Sequence, residues 1–393
     1  GALMEEALQK ALGSSGLEVR DLDGLVAVPS LSEPRFMEAH YLATRVGLLP
    51  RKGVLARTLD TGGAGPVSGL LLAARMVREE RCRAVAVVAG DAVSSMDTAE
   101  FLRRADSSVL DPSDPLPSPC IPHGYGRIAE WQMDTYGVTR EQLAMVPVLM
   151  SRQAARHPLA LSRGPVSLAE VMRSRPIAPA TNLLECARRA DGAAAIIVAD
   201  SDFMDQRLGH DRISSSSGVP SAALGPAASG GGAVILGGGE ASGPLYPPPV
   251  IDESMFSCEH AARAAFAQAQ LLPGDIDWWG LYDCYPICFV RAVEAVGLAP
   301  KGQGGSWVEE AHAMTSAEPD YAPSRLPVNT HGGLLAFGAP WEVPAMYNVI
   351  EAVEQLAGRA GGRQVPGARR ALVYGNGGIF SHSAVAILAA PVD

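Results

Sequence analysis

Six cysteines, at positions 82, 120, 186, 258, 284 and 288, are the first residues to question for nucleophilic or metal chemistry. No pair is spaced C-x-x-C, and Cys284 and Cys288 have three residues between them with no histidine partner nearby. Neither a zinc site nor a disulfide framework is indicated by that spacing. His331, in Asn329-Thr330-His331-Gly332-Gly333, carries an imidazole whose ordinary pKa lies near working pH, which suits acid/base work. A histidine satisfied inside the core is its structural alternative. Gly332-Gly333, Gly338 and Gly377-Gly378 allow close backbone approach and can aim N–H groups into a pocket. Tight turns between buried strands would use the same glycines.

These residues need a scaffold, and the composition provides for one. The chain has 393 residues, 47% apolar and 19% charged, enough for one large or two medium cores and too apolar for a disordered chain. Lys plus Arg is 32 against 42 Asp plus Glu, a net charge of −10 with no strongly basic run. Nucleic-acid binding through a phosphate-neutralising face is therefore not expected. No apolar run reaches membrane-spanning length, and the scattered cysteines fit a reducing, cytoplasmic compartment.

Residues 3–16 place Leu3, Ala7, Leu8 and Leu12 on one helical face, and Leu25–Val28 reads as a short buried strand. A Gly-rich turn, Asp60–Gly65, leads into an Ala/Leu/Met helix at 70–78 and a buried strand at 84–89. That rhythm predicts a parallel α/β sheet covered on both faces. Residues 98–190 read as an inserted region of helices, among them 126–136 and 139–155, separated by Pro-rich turns. The sheet returns at 193–199. Residues 214–249 are rich in Ser, Gly, Ala and Pro, with a strand pattern at 233–236. A helix at 256–271, a strand at 277–282, a helix at 343–356 and strands at 371–374 and 384–389 follow.

The order repeats. Residues 7–28 parallel 261–282, each a helix, a turn, an acidic D-x-D segment and a buried strand, and the pair at 68–89 has its counterpart at 343–374. A period of half a chain predicts duplication of one α/β unit. The expected division is an N-terminal half, 1–235, carrying the loop region at about 98–190, and a C-terminal half, 236–393.

Several stretches resemble the thiolase superfamily, and within it the sterol-carrier-protein-type thiolases and their thiolase-like relatives. They are residues 125–160, 183–199, YDCYPICFVRAVEAVG at 282–297, NTHGGLLAFGAP at 329–340 and ALVYGNGGIFSHSAVAILA at 371–389. The resemblance runs from about residue 3 to 391. It implies a five-layer αβαβα arrangement of two duplicated halves, a homodimer, and an acyl-CoA site between the halves with no bound cofactor beyond the CoA thioester substrate. It also implies an apolar strand before the first helix. Here the chain begins inside that helix, so a central strand would be missing or another segment would fill its place.

A thiolase takes the acyl group on a cysteine thiolate, activates it with a histidine, uses a second acid/base cysteine and holds the thioester oxygens in oxyanion holes. Gly62 matches the nucleophile's position, or Gly63 if the loop slips by one. Ala339, in Gly338-Ala339-Pro340, matches the histidine, and Gly375, in Gly375-Asn376-Gly377-Gly378, matches the second cysteine. All three catalytic side chains are absent. Tyr282, in Tyr282-Asp283-Cys284-Tyr285, takes the place of an oxyanion-hole or water-holding side chain, where its hydroxyl can donate to an enolate oxygen or carry a proton. A strand-end aromatic packed on the loop is the plain alternative. Tyr285 and His331 are its candidate helpers. Gly62, Gly338, Asn376, Gly377 and Gly378 are the candidate substrate and oxyanion-binding positions. Asp283 is expected to brace the loop, Cys284 to be structural, and no metal is expected.

Two classes of function fit. The first is a cysteine-independent lyase cleaving a C–C bond of a bulky lipid or steroid acyl-CoA in the retro-aldol sense. It would work with a small partner carrying an OB fold and a zinc ribbon, as the steroid side-chain aldolases of the family do, and hold its substrate with loops at 98–125 and 205–230. The second is a non-catalytic acyl-CoA or lipid-binding scaffold. A conventional acetyl-CoA acyltransferase is a third reading.

Overall fold

Met4, Leu8 and Leu12 recur at helical spacing and are all buried, so the first helix, α1 (Ala2–Ser15), lays one face on the sheet. It stops at Gly16, whose left-handed φ of 70° lets the Leu17 N–H return to the Leu12 carbonyl. The structure is a computed structural model and describes residues 1–208, 222–224 and 232–391. After α1 come β1 (Gly24–Ala27), α2 (Glu38–Arg45), β2 (Leu55–Thr58), α3 (Gly65–Arg78) and β3 (Ala84–Ala92). The inserted region supplies α4 (Thr98–Ser107), α5 (Cys120–Tyr136), α6 (Arg140–Ala154), α7 (Leu168–Arg173) and a small ribbon, β4 (Pro176–Ala178) with β5 (Thr181–Asn182). β6 (Asp191–Asp200), α8 (Ser201–Leu208), β7 (Ala222–Leu224) and β8 (Ala233–Ser242) follow. The rest is α9 (Cys258–Ala269), β9 (Trp278–Leu281), α10 (Pro286–Ala295), α11 (Gly304–Ala317), α12 (Pro344–Leu356), β10 (Arg370–Gly377) and β11 (His382–Ala389).

The strands run β2-β1-β3-β6-β7-β8-β11-β10-β9. The expectation of an all-parallel sheet is corrected. β1, β2 and β3 are parallel, as are β9 and β10, but β6 pairs antiparallel with β3 and β11 antiparallel with β10. Each half therefore ends on a hairpin-like reversal that a helix–strand rhythm does not reveal. The duplication is plain in the order. β1, β3 and β6 have counterparts in β9, β10 and β11, and Val328 makes one parallel bridge to Trp279 where β2 flanks β1.

The same comparison corrects the expected gap. The first strand of the C-terminal half, β8, lies beside the antiparallel β11, at the end of its row and not in the middle. Its N-terminal counterpart would lie beside β6, and there the short β7 stands, paired with β6 on one side and β8 on the other. Another segment occupies that place, and β1 pairs directly with β3.

α3 is buried along almost its whole circumference, from Gly65 through Ala74, as a helix between two sheets must be. It touches β3 of one half, β10 of the other, and α12. α1 and α2 cover the outer face of the N-terminal half, α9 that of the C-terminal half, and the five layers follow. The inserted α5 and α6 pack on α10 and α11. Among the described residues no helix is long and apolar enough to cross a membrane.

Candidate active site

Two glycine turns and Tyr282 meet at the head of α3. Gly62–Ala64 forms one tight turn before the helix, with Gly62 at a left-handed φ of 59°. A Cβ on Gly62 would lie 2.8 Å from the Gly378 nitrogen and 3.0 Å from the Gly377 Cα. A Cβ on Gly377 would overlap the Thr61 carbonyl and lie 2.9 Å from its carbon. A Cβ on Gly63 would overlap the Tyr282 hydroxyl and lie 2.5 Å from its Cζ and 2.6 Å from the Asn376 carbonyl oxygen. The β10–β11 turn, the head of α3 and Tyr282 can approach this closely only because glycine carries no side chain.

Tyr282 follows β9 directly and is 5% exposed. Burial pushes its hydroxyl well above the ordinary tyrosine range, with Cys284, Cys288, Glu342 and Asp283 adding to the shift, so it stays protonated and keeps a proton to donate. Among the described residues it has no hydrogen-bond partner. Tyr285 caps α10 and stacks on Tyr125, with centroids 4.6 Å apart. Tyr125 donates to the Gly378 carbonyl at 2.6 Å and accepts from Asn376 Nδ2 at 2.9 Å, while the Tyr374 hydroxyl donates to Asn376 Oδ1 at 3.2 Å. The Asn376 amide is thus engaged inside the core, and what the turn presents toward Gly63 is the Asn376 carbonyl.

Asp283 has no exposed surface. It accepts from the Leu334 N–H at 2.7 Å, the Leu335 N–H at 3.3 Å and Asn329 Nδ2 at 3.3 Å, the loop brace expected of it. Burial raises its carboxyl to about 7 against the pull of those N–H groups. The folded chain therefore holds a proton that the unfolded chain releases near pH 4, and stability falls as pH rises from about 4 to about 7. Asp283→Asn should flatten that slope. The check is urea unfolding of both proteins at pH 5 and pH 8, and equal slopes would show that Asp283 does not carry it.

His331 sits edge-on to Phe337 at 5.4 Å, is 3% exposed, and its Nδ1 is enclosed without a partner. Burial lowers it to about 4, with Glu351 pulling up and His157 and Arg363 pushing down, so it is neutral at working pH. No hydrogen bond joins it to Tyr282 or Asn376. Gly338, at φ 127°, would set a Cβ 2.9 Å from Leu161 Cδ1. Both backbone groups of Ala339 pair with the 188–190 segment, its N–H to the Arg188 carbonyl at 2.8 Å and its carbonyl to the Ala190 N–H at 3.3 Å. The Ala339 N–H is therefore not free for an oxyanion. His123 bonds the Pro119 carbonyl at 3.0 Å, and His382 bonds Ser68 at 3.3 Å and Ser242 at 3.1 Å.

One residue the sequence reading passed over belongs here. Glu342 follows Gly338-Ala339-Pro340-Trp341, and its Oε2 is enclosed without a partner. Burial raises its carboxyl to about 8, reinforced by Asp60 and Asp91. The signal was available: a lone carboxylate inside the apolar run Trp341-Glu342-Val343-Pro344. Thr61 Oγ1, beside Gly62, is likewise enclosed and unpartnered. Burial raises the thiols of Cys186 and Cys258 to about 12 and that of Cys288 well above its ordinary range, the reverse of what a nucleophile needs. Among the described residues no group of three or more His, Cys, Asp or Glu could hold a metal. Concavities of about 280 Å³ between α3 and β8 and about 340 Å³ at 154–163 do not border Tyr282. Of the expected substrate loop at 205–230, residues 209–221 and 225–230 lie outside the described residues.

Residues 251–390 match the family model described as thiolase C-terminal domain-like. An acetyl-CoA acetyltransferase of Methanothermobacter thermautotrophicus is 29% identical over 393 residues, covering 98% of this chain and 93% of that protein. Sterol carrier protein 2 of Rattus norvegicus is 29% identical over 259 residues, 66% of this chain but only 43% of its own length. Among solved structures, one described as Ltp2-ChsH2(DUF35) aldolase superposes with a TM-score of 0.77 at 23% identity, covering 99% of this chain and 92% of that one. With its duplicated halves the chain has the thiolase fold, and with glycine or alanine at each position matched to a catalytic side chain it is similar to thiolase-superfamily proteins of the sterol-carrier type.

Proposed function

We propose that this chain is an acyl-CoA lyase that cleaves a β-hydroxyacyl-CoA in the retro-aldol sense, without a covalent cysteine intermediate. The observation that carries the reading is the seat of Tyr282, whose hydroxyl fills the space a Gly63 side chain would need at the head of α3. The resemblance puts a nucleophile at that turn, and here a proton donor stands in its place. In the reaction a base removes the β-hydroxyl proton and the Cα–Cβ bond breaks. Its electron pair moves onto the thioester, and the enolate oxygen accepts a hydrogen bond from Tyr282. A buried neutral donor aimed at developing negative charge is worth more there than in water. Tyr285 holds Tyr125 and the turn in place rather than meeting the substrate. A CoA thioester as substrate fits the acetyl-CoA acetyltransferase relative. The hyphenated name of the aldolase neighbour supports a partner subunit, proposed here as a small OB-fold protein beside a homodimer of this chain.

A second reading, a non-catalytic acyl-CoA binder, is favoured by Asn376, whose amide is wholly engaged by Tyr125 and Tyr374. One experiment separates the readings. Bulky β-hydroxyacyl-CoAs are incubated with the chain, with and without an OB-fold partner, while the shortened acyl-CoA and the carbonyl product are followed and intact protein mass is recorded. Cleavage with no acyl mass gain is the expected result. Stoichiometric acylation of a cysteine would restore a conventional acyltransferase, and tight binding without turnover in any combination would favour the scaffold.

A further inference from the structure

Among the described residues Glu342 holds an enclosed carboxyl oxygen, Oε2, that no partner completes, although the Trp341 side chain acts on the group as a donor. Asp283 is spent on the Leu334 and Leu335 N–H groups. Asp91 accepts from the Leu31, Ser32 and Ala92 N–H groups at 2.6, 3.0 and 2.8 Å. Glu342 braces no backbone N–H, and its Oε2 has no partner although no solvent reaches it. Leaving such an atom unsatisfied costs stability unless something else completes it. The residue before it, Trp341, is held at a left-handed φ of 51°, a costly conformation for a bulky side chain and one found where a loop must aim a neighbour. Glu342 as a whole keeps part of its surface open while Oε2 is closed off.

Glu342 and Tyr282 both belong to segments that meet the Gly62–Ala64 turn: α12, which Glu342 precedes, packs on it, and the Tyr282 hydroxyl fills the space beside Gly63. The Tyr282 hydroxyl and Glu342 Oε2 are too far apart to bond each other, yet the Glu342 charge is among those that press on Tyr282. We propose that Glu342 is the general base and acid of this site, a catalytic residue that takes the β-hydroxyl proton and returns it to the α-carbon. The inference rests on the lyase reading above. The step balances: the carboxylate accepts the proton as Cα–Cβ breaks, the electron pair passes to the thioester enolate held by Tyr282, and the carboxylic acid then protonates Cα. The products are a carbonyl compound and a shortened acyl-CoA, and Glu342 ends ionised as it began.

After burial, Asp60 ahead of α3 and Asp91 on β3 press the Glu342 carboxyl upward, the Trp341 side chain lowers it by hydrogen bonding, and Glu342 in turn raises Tyr282 after β9. Arg189, across the bridge to Ala339, is turned onto Phe101 and Thr98. With acidic neighbours and burial acting together, its carboxyl rises to about 8, close to where a proton carrier works best. Its base form therefore grows through that pH, and kcat/KM should climb with it.

The test is the proton half-reaction, which needs neither C–C cleavage nor the right acyl chain. Acetyl-CoA and propionyl-CoA are held with the full chain, and with its complex if one is isolated, in D2O, and α-deuteration is read by NMR. Wild type should exchange, with a rate rising around pH 8. Glu342→Gln should exchange at least about 100-fold more slowly and lose that rise, with CoA affinity unchanged, and Glu342→Asp should recover part of the rate. Equal exchange by wild type and Glu342→Gln, or no exchange by wild type above pH 8, overturns the assignment. Exchange that depends on Glu342, with no β-hydroxyacyl-CoA ever cleaved, would keep Glu342 as the proton carrier and sink the retro-aldol reading alone.

Discussion

Tyr282→Phe keeps acyl-CoA affinity within about twofold and lowers turnover by about 10²–10³-fold, the loss seen when one oxyanion donor is removed. The substitution takes away a single oxygen. The ring stays packed, because Tyr282 is buried against Cys284 and Cys288 and its neighbour Tyr285 is fixed by stacking on Tyr125. Nothing in the fold loses a hydrogen bond, since the hydroxyl has no partner among the described residues, so stability is expected to hold or rise slightly. A loss confined to kcat therefore reports the transition state and not the scaffold. Steady-state kinetics with calorimetric binding of the acyl-CoA measures both, and unchanged kcat would remove Tyr282 from the mechanism.

Arg291→Ala destabilises the chain by about 3–5 kcal/mol, the cost of breaking a buried ion pair from one side. Arg291 has no exposed surface, yet it meets three carboxylates, Glu259 at 2.9 Å, Glu253 at 3.1 Å and Glu294 at 3.4 Å, and lies over the Phe256 ring at 4.1 Å. Removing it strands Glu294, which is itself buried, and opens a hole beside Phe256. The consequence reaches the site because Arg291 and Glu294 sit on α10, whose first turn is capped by Tyr285. Urea unfolding of the variant measures the loss. Arg291→Met, which restores volume without charge, should recover little, because the three glutamates remain. A loss under about 1 kcal/mol would mean that water replaces the guanidinium.

The architecture was largely legible because its signals are local. α1, β3, α9 and β11 are apolar at helical or extended spacing, and their expected cores fall within the observed elements. The half-chain repeat gave the correspondence of β1 with β9 and β3 with β10. Strand direction was not legible, since β6 and β11 are apolar runs like β3, and only their antiparallel pairing distinguishes them. Helix α10 went unread because Pro286 opens an almost wholly buried segment whose two charged residues, Arg291 and Glu294, are themselves buried, so no exposed face sets a period. At the site, glycine and alanine substitutions show in sequence, and so does Tyr282. That Asn376 is spent on two tyrosines, that His331 turns to Phe337, and that Glu342 is enclosed are facts of packing between distant segments, which no spacing encodes.

The contact between Gly63 and Tyr282 crosses the duplication. The hollow belongs to the helix of the first repeat and the hydroxyl that fills it to the strand of the second. After a gene duplication each copy can drift only as far as its twin tolerates. A methyl group gained at position 63 in one repeat would evict the working group supplied by the other. The two positions are therefore expected to change together or not at all, so that across descendants of this chain a small residue at one predicts a hydroxylated ring at the other.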